Sequence, residues 1–316
     1  MTGRRLDGRV IIVTGAGRGI GRDYALLAAA EGARVVVNDL GSGLGGEAGV
    51  ERPADQVAAE IRAQGGEAVA DASDVADFEG AAKLVNTAIE RFGTLDVVIN
   101  NAGILRDRML VNMSPEEWDI IMRVHFRGHF CVSRHAAAYW RDQSKATGPV
   151  DRVLISTSSI SGLHGAVGQT NYASAKSGLA TFAQLCHREL NERYGVRSYA
   201  IAPSGRTRLT LSTPGTSVAA SVPEGAFDKW DPANVAPFVI WLAAKGCPIP
   251  SGNVFGVMGD RIDIYRTWHV TGAVRAGDHR WTFAELDAAA EGLIRQIPPP
   301  PLSIREQHAK GSGDLM

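Results

Sequence analysis

The segment Asn171-Tyr172-Ala173-Ser174-Ala175-Lys176 sets a phenol and an amine four residues apart, which on a helix places them on one face. A free phenol ionises near pH 10 and is a weak base at neutral pH. An ammonium held beside it favours the phenolate, and the pair then suits general acid–base work. Tyr-x-x-x-Lys is common by chance, so its company decides its meaning. Ser156, Ser158, Ser159 and Ser161 lie upstream at the end of an apolar run, where a hydroxyl can hold a substrate oxygen against the phenol. A second candidate for chemistry is Thr14-Gly15-Ala16-Gly17-Arg18-Gly19-Ile20-Gly21. Glycines let a backbone approach a pyrophosphate closely, and a helix beginning there aims its first N–H groups at the anion. Asp39 follows about 20 residues later, where a carboxylate hydrogen-bonds the adenosine ribose of a dinucleotide. A ribose 2′-phosphate would be repelled there, so the expected cofactor is NAD. Arg18 pulls toward a 2′-phosphate, but reads as a solvated arginine beside the pyrophosphate.

These groups need a scaffold that gathers them, and the chain spells one out. Short β-branched runs at 10–13, 35–37, 97–99, 153–155 and 199–202 suit strands buried on both faces. Between them, stretches with helical spacing cover 20–31, 54–63, 78–92 and 173–194. Such alternation implies right-handed crossovers. The expected fold class is α/β, a single Rossmann-type doubly wound parallel sheet with helices on both faces, plus a C-terminal extension. Ser114-Pro115-Glu116-Glu117, Asp231-Pro232 and Thr282-Phe283-Ala284-Glu285 mark helix starts. The Gly-rich 41–49, the polar 204–224 and the tail from Pro298, with four successive prolines, read as irregular. The division expected is 1–260, a cofactor-binding domain with an integral substrate pocket, and 261–316, a partly helical extension with a Pro-rich end.

Composition excludes several function classes. Among 316 residues, 33 Lys and Arg balance 34 Asp and Glu to a net charge of −1, which argues against binding nucleic acid or anionic membrane by bulk charge. A 45% hydrophobic fraction rules out wholesale disorder. Cys131, Cys186 and Cys247 are scattered and lack metal-ligand spacing, so no metal is expected and the thiols read as those of a reducing compartment. No stretch approaches the roughly 18–20 apolar residues of a membrane span. The first residues lead into no secretory apolar core, and the expected location is cytoplasmic.

In order and spacing, the glycine loop, Asn100-Asn101-Ala102-Gly103, Ser159 and Tyr172-x-x-x-Lys176 resemble the short-chain dehydrogenase/reductase family, over about residues 8 to 260. A closer likeness is to the (3R)-hydroxyacyl-CoA dehydrogenase module of type 2 peroxisomal multifunctional enzymes. It rests on Val36-Val37-Asn38-Asp39-Leu40-Gly41 with its Gly-rich insertion, Ile104-Leu105-Arg106-Asp107, Trp118-Asp119-Ile120-Ile121, Val124-His125-Phe126-Arg127-Gly128 and Gly168-Gln169-Thr170-Asn171-Tyr172. The resemblance implies that Tyr172 takes the alcohol proton, Lys176 holds the nicotinamide ribose and lowers the tyrosine pKa, and Ser159 orients the substrate oxygen. It implies cofactor contacts from Thr14, Gly15, Gly17, Arg18, Gly19, Ile20, Gly21, Asp39, Leu40, Asp74, Val75, Asn101, Ala102, Gly103, Tyr172, Lys176, Pro203 and Thr207. His125 stands where many members carry asparagine in a proton relay; it reads either as that relay residue or as a packed helix histidine. After Pro203 the usual glycine is replaced by Ser204, with Gly205 one position late, which leaves the loop path and Thr207 open. His164 reads as a solvated loop residue or a substrate contact.

Three functions follow as alternatives. The first is an NAD-dependent dehydrogenase of (3R)-hydroxyacyl-CoA with a bulky or sterol-derived acyl group, with Arg106, Arg108, Arg206 and Arg208 as a basic rim for the CoA phosphates. The second is a hydroxysteroid dehydrogenase acting on a free ring alcohol. The third is a non-catalytic NAD(H)-sensing protein, which the Ser159, Tyr172 and Lys176 set argues against. The expected partners are a small-molecule substrate, acyl-CoA or steroid, and a second copy of the chain in a homodimer or homotetramer built on the helices carrying Tyr172 and residues 81–90.

Overall fold

A computed structural model of the chain describes residues 4–297 apart from 48, 50, 212–221, 224, 267 and 269. The four prolines at 298–301 and most of the 204–224 stretch lie outside the described residues. Two compact units are present, Met1–Tyr265 and Arg266–Met316.

The first unit carries strands β1 (Val10–Thr14), β2 (Arg34–Asn38), β3 (Glu67–Asp71), β4 (Val97–Asn100), β5 (Arg152–Thr157), β6 (Val196–Ser204), β7 (Val254–Met258) and β8 (Arg261–Tyr265). They form one sheet in the order β3-β2-β1-β4-β5-β6-β7-β8. All neighbours are parallel except β7 and β8. Side chains alternate between two cores, as pleating requires. Ile11 and Val13 join the layer of α1 (Gly19–Ala30), α2 (Pro53–Ala63) and α9 (Ala236–Ala243), while Val10 and Ile12 join that of α3 (Phe78–Phe92) and α5 (Gly128–Thr147). Burial on both faces explains the β-branched runs in β1, β2, β4, β5 and β6. Among the described residues, no helix is long and apolar enough to cross a membrane.

The expected helix starts are present. Ser114 accepts from Glu117 N–H and Glu117 answers with Ser114 N–H, opening α4 (Pro115–Ile121). Asp231 caps a short 3₁₀ turn at Pro232–Val235. In the second unit, the same reciprocal box between Thr282 and Glu285 opens α10 (Phe283–Gln296).

The sheet departs from an all-parallel reading at β8, which returns antiparallel to β7 and lies beyond residue 260. Met258 and Arg261 are joined by Gly259-Asp260, and Gly259 takes φ +56°. A two-residue loop with glycine first in a positive-φ conformation suits the twist of a β-hairpin.

The order reverses at the β1–β4 junction, so the crevice outside their carboxyl ends is where a doubly wound sheet binds its ligand. Gly21 shows how tightly that end is built. A Cβ there would meet Gly15 O at 2.3 Å and Asn101 Nδ2 at 2.5 Å. Helix propensity alone favours alanine at this site by about 1 kcal/mol. Overpacking against a backbone carbonyl costs about 1–3 kcal/mol. Gly21→Ala is therefore expected to lower the urea midpoint; an unchanged or higher midpoint would show that the loop can yield.

Candidate active site

The cleft at the carboxyl ends has a volume of about 580 Å³, within the range of small-molecule sites. Its floor is the glycine loop. Thr14 Oγ1 accepts from the N–H groups of Asn101 (2.9 Å) and Ala102 (3.1 Å), and Asn101 Nδ2 donates to the carbonyls of Thr14 (3.1 Å) and Gly15 (3.2 Å). The loop is thus stitched to the end of β4. Asn101 acts here as a brace.

The loop fits a dinucleotide. Among the described residues no side chain caps α1 and no acid stands in its first turn, which leaves its N-terminal donors for an anion. Positions that a Cβ would fill are bare: on Gly17 it would lie 2.6 Å from Pro53 Cβ and 2.8 Å from Asp39 Oδ2. Asp39 sits at the β2 end, where its carboxylate accepts from Gly17 N–H (2.9 Å) and Gly41 N–H (2.8 Å). Leu40, half exposed, lines the cleft with Ile20, Asp74 and Val75. Asp74 accepts from Ala76 N–H and pairs with Arg123. Pro203 ends the floor, and Thr207 faces Gly19, its Cγ2 3.5 Å from where a Cβ would stand. Thr207 Oγ1 also accepts from Thr210 N–H (3.3 Å), opening α8 (Arg208–Leu211).

The acid–base group sits at the other end. Tyr172 and Lys176 lie in the first turns of α7 (Thr170–Tyr194), with Nζ 5.6 Å from the phenol ring centroid. Ser159 begins α6 (Ile160–His164); its hydroxyl accepts from Ser161 N–H and acts on the Tyr172 phenol to lower its pKa. Lys176 is buried and donates to Thr157 O at 2.6 Å. Burial pulls its ammonium down to about 7. Burial likewise pushes the Tyr172 phenol up to about 12, against the opposing influence of the Ser159 hydroxyl. In the ligand-free chain burial is the largest influence on both groups, and it moves them in opposite directions.

His125 is buried in a six-residue π-helical turn, Met122–Arg127, between α4 and α5. Such wide turns concentrate at functional sites. Its Nε2 lies 3.1 Å from Ile104 N and 2.8 Å from Ile104 O, and its ring meets Tyr172 edge-on at 5.1 Å. Nδ1 is buried with no hydrogen-bond partner among the described residues. Burial, then the Lys176 charge, holds its pKa well below the usual range, so the ring is neutral. Gly103 makes room for it, since a Cβ there would strike His125 Cε1 at 2.5 Å.

Several residues position the site through contacts that the sequence did not mark. Gly162 lets α6 lie on α7; its Cβ would fall 2.6 Å from Ser177 N. Asn171, fully buried, donates to the carbonyls of Arg106 and Glu117 and accepts from Tyr172 N–H. Ser158 Oγ donates to Lys176 O, and His129 Nε2 accepts from Thr157 N–H. Asn171 stands inside a quoted motif, but its partners at Arg106 and Glu117 are far along the chain, and Gly162 lies in none of the quoted motifs.

Other expectations change. His164 faces Tyr265 Oη on β8 at 3.2 Å and does not line the cleft. The basic rim is largely neutralised: Arg106 pairs with Glu47, Arg108 with Glu117 and Arg206 with Asp228. Arg208 lines the cleft, and among the described residues no ion pair holds it.

The short chain dehydrogenase family model matches residues 9–212, and the chain belongs to that family. It is an oxidoreductase acting on CH–OH groups, with a nicotinamide cofactor. The hydroxyacyl-CoA dehydrogenase ChsB1 of Mycobacterium tuberculosis is 42% identical over 285 residues, 90% of this chain and 87% of that one. Peroxisomal multifunctional enzyme type 2 of Mus musculus is also 42% identical, over 85% of this chain and 34% of the mouse protein. The crystal structure of a short chain dehydrogenase from Mycobacterium avium superposes with a TM-score of 0.82 at 48% identity, covering 94% of this chain and 98% of that one.

The burial of Lys176 has a measurable cost. Below pH 7 folded and unfolded chains both carry the proton, and the penalty is full. Between 7 and 10.5 only the unfolded chain keeps it, so stability rises with pH, by at most about 1.4 kcal/mol per unit. Lys176→Met removes this dependence. Its urea stability relative to the parent should be highest below pH 7 and fall steadily toward pH 10; a difference that ignores pH would refute the buried-ammonium reading.

Proposed function

We propose that the protein is an NAD-dependent dehydrogenase of (3R)-hydroxyacyl-CoA esters, the acyl group being bulky or sterol-derived. The observation that carries this is the Ser159, Tyr172 and Lys176 cluster beside the cleft, in a chain so similar along its length to a relative named hydroxyacyl-CoA dehydrogenase. Asp39, with its two backbone donors at the end of β2, favours a free ribose 2′-hydroxyl, which supports NAD over NADP.

When bound, NAD supplies the hydride acceptor. Ser159 Oγ holds the substrate oxygen, and the Tyr172 phenol exchanges the proton with it. Lys176 fixes the ribose end of the site and favours the phenolate once its own charge is retained. His125 serves as a neutral relay residue, with Nδ1 free to pass a hydrogen bond near Tyr172. At the rim, Arg208 is the guanidinium placed to meet a CoA phosphate. The free thiols Cys131, Cys186 and Cys247 suit a reducing compartment, in keeping with the cytoplasm.

For the assembly we propose a homodimer or homotetramer. The exposed apolar side chains Phe126, Phe130 and Leu185 support a contact through the π turn, α5 and α7. The expected 81–90 helix face offers none of this kind, since α3 turns its large apolar residues into the core.

Purified protein with NAD should form NADH on a (3R)-hydroxyacyl-CoA and not on its 3S epimer. Turnover confined to a free hydroxysteroid would overturn the CoA assignment. Tyr172→Phe should lower kcat by about 100- to 10,000-fold while NADH still binds; a fully active variant would remove the phenol from the mechanism. In sedimentation, the double variant Phe130→Glu with Leu185→Glu should shift the protein to monomer, and an unmoved sedimentation coefficient would place the contact elsewhere.

A further inference from the structure

The Gly-rich insertion begins and ends at the same spot. A Cβ on Gly41 would lie 2.3 Å from Glu51 O, and one on Gly49 would lie 1.9 Å from Gly41 O, so the two feet of the loop touch. Gly41 has φ +78° and gives its N–H to Asp39 Oδ1. Just beyond Glu51, the Pro53 ring covers Gly17. The loop therefore delivers Glu51 to the edge of the pocket formed by Asp39 and the glycine loop. There its carboxylate pairs with the Arg18 guanidinium. Arg208 lines the same cleft, near enough to Arg18 and Asp39 to feel both charges.

We infer that Glu51 is a specificity-determining residue: it occupies Arg18 and so withholds that guanidinium from a ribose 2′-phosphate. This rests on the NAD reading and adds a second carboxylate to it. Asp39 meets the ribose edge directly, whereas Glu51 acts through Arg18. A guanidinium binds phosphate by paired, charge-assisted hydrogen bonds. Arg18, the residue next to Gly17 in the loop, is placed to supply them. With Glu51 on it, a 2′-phosphate must displace one anion and approach two. The pair is solvent-exposed, so it adds little to folding. Its consequence lies in ligand choice.

The test uses the ligand-free full chain and two probes without a nicotinamide, adenosine 5′-monophosphate and adenosine 2′,5′-bisphosphate, titrated by calorimetry. The parent should bind the monophosphate at least as tightly as the bisphosphate. Glu51→Gln keeps the side-chain shape and should move the Kd ratio about tenfold toward the bisphosphate. That gain should shrink in high salt and vanish when Arg18→Gln is added. An unchanged ratio in Glu51→Gln, or a gain that survives loss of Arg18, would overturn the inference while leaving the NAD reading intact. A parent that itself prefers the bisphosphate would overturn both.

Discussion

A buried ammonium is the feature around which the carboxyl end of this sheet is arranged. Lys176 sits almost out of contact with solvent, and Thr157 O at 2.6 Å is its anchor. Removing a cation from water is costly unless fixed dipoles replace it. Those dipoles must be rigid, and the surroundings are built accordingly. Thr157 terminates β5 between β4 and β6, and its N–H is held by His129. Ser158 ties the backbone of Lys176 itself, and Gly162 lets α6 close over it. The position of Ser159 against Tyr172 is a by-product of the same closure.

The buried charges at the amino ends of the sheet are handled differently from the buried acid–base group at its carboxyl ends. At the amino ends, Arg9, Asp96, Asp151, Arg152 and Arg197 form a mutually compensating network, with Arg152–Asp96 at 2.7 Å and Arg197–Asp151 at 2.8 Å. At the carboxyl ends, Lys176 has a carbonyl and no carboxylate, and His125 Nδ1 and Ser156 Oγ are buried without partners among the described residues. Polar capacity left unspent is destabilising, and it is what a ligand can use. The π turn belongs to the same pattern, since it widens the helix where His125 must reach Ile104 and Tyr172.

Much of this was legible in the sequence because it is local. The β-branched runs mark strands buried on both faces, and the boxes at Ser114 and Thr282 are completed within three residues. The glycine loop and Tyr172-x-x-x-Lys176 carry their geometry in their spacing. Less legible was β8, although Gly259-Asp260 between apolar alternations is a hairpin signal. Asn171 was read only as part of a motif, and its two carbonyl partners lie more than 50 residues away.

By itself the sequence determined the order of the elements, the cofactor loop and the acid–base pair, because each depends on neighbours a turn or a strand away. Only the tertiary structure decided how the charges pair. Arg18 with Glu51, Arg106 with Glu47 and Arg206 with Asp228 bring together residues separated by 33, 59 and 22 positions. It decided, too, that Lys176 and Tyr172 shift in opposite directions, both by burial. A pKa and an ion pair depend on distance and dielectric, and neither is a property of position along the chain.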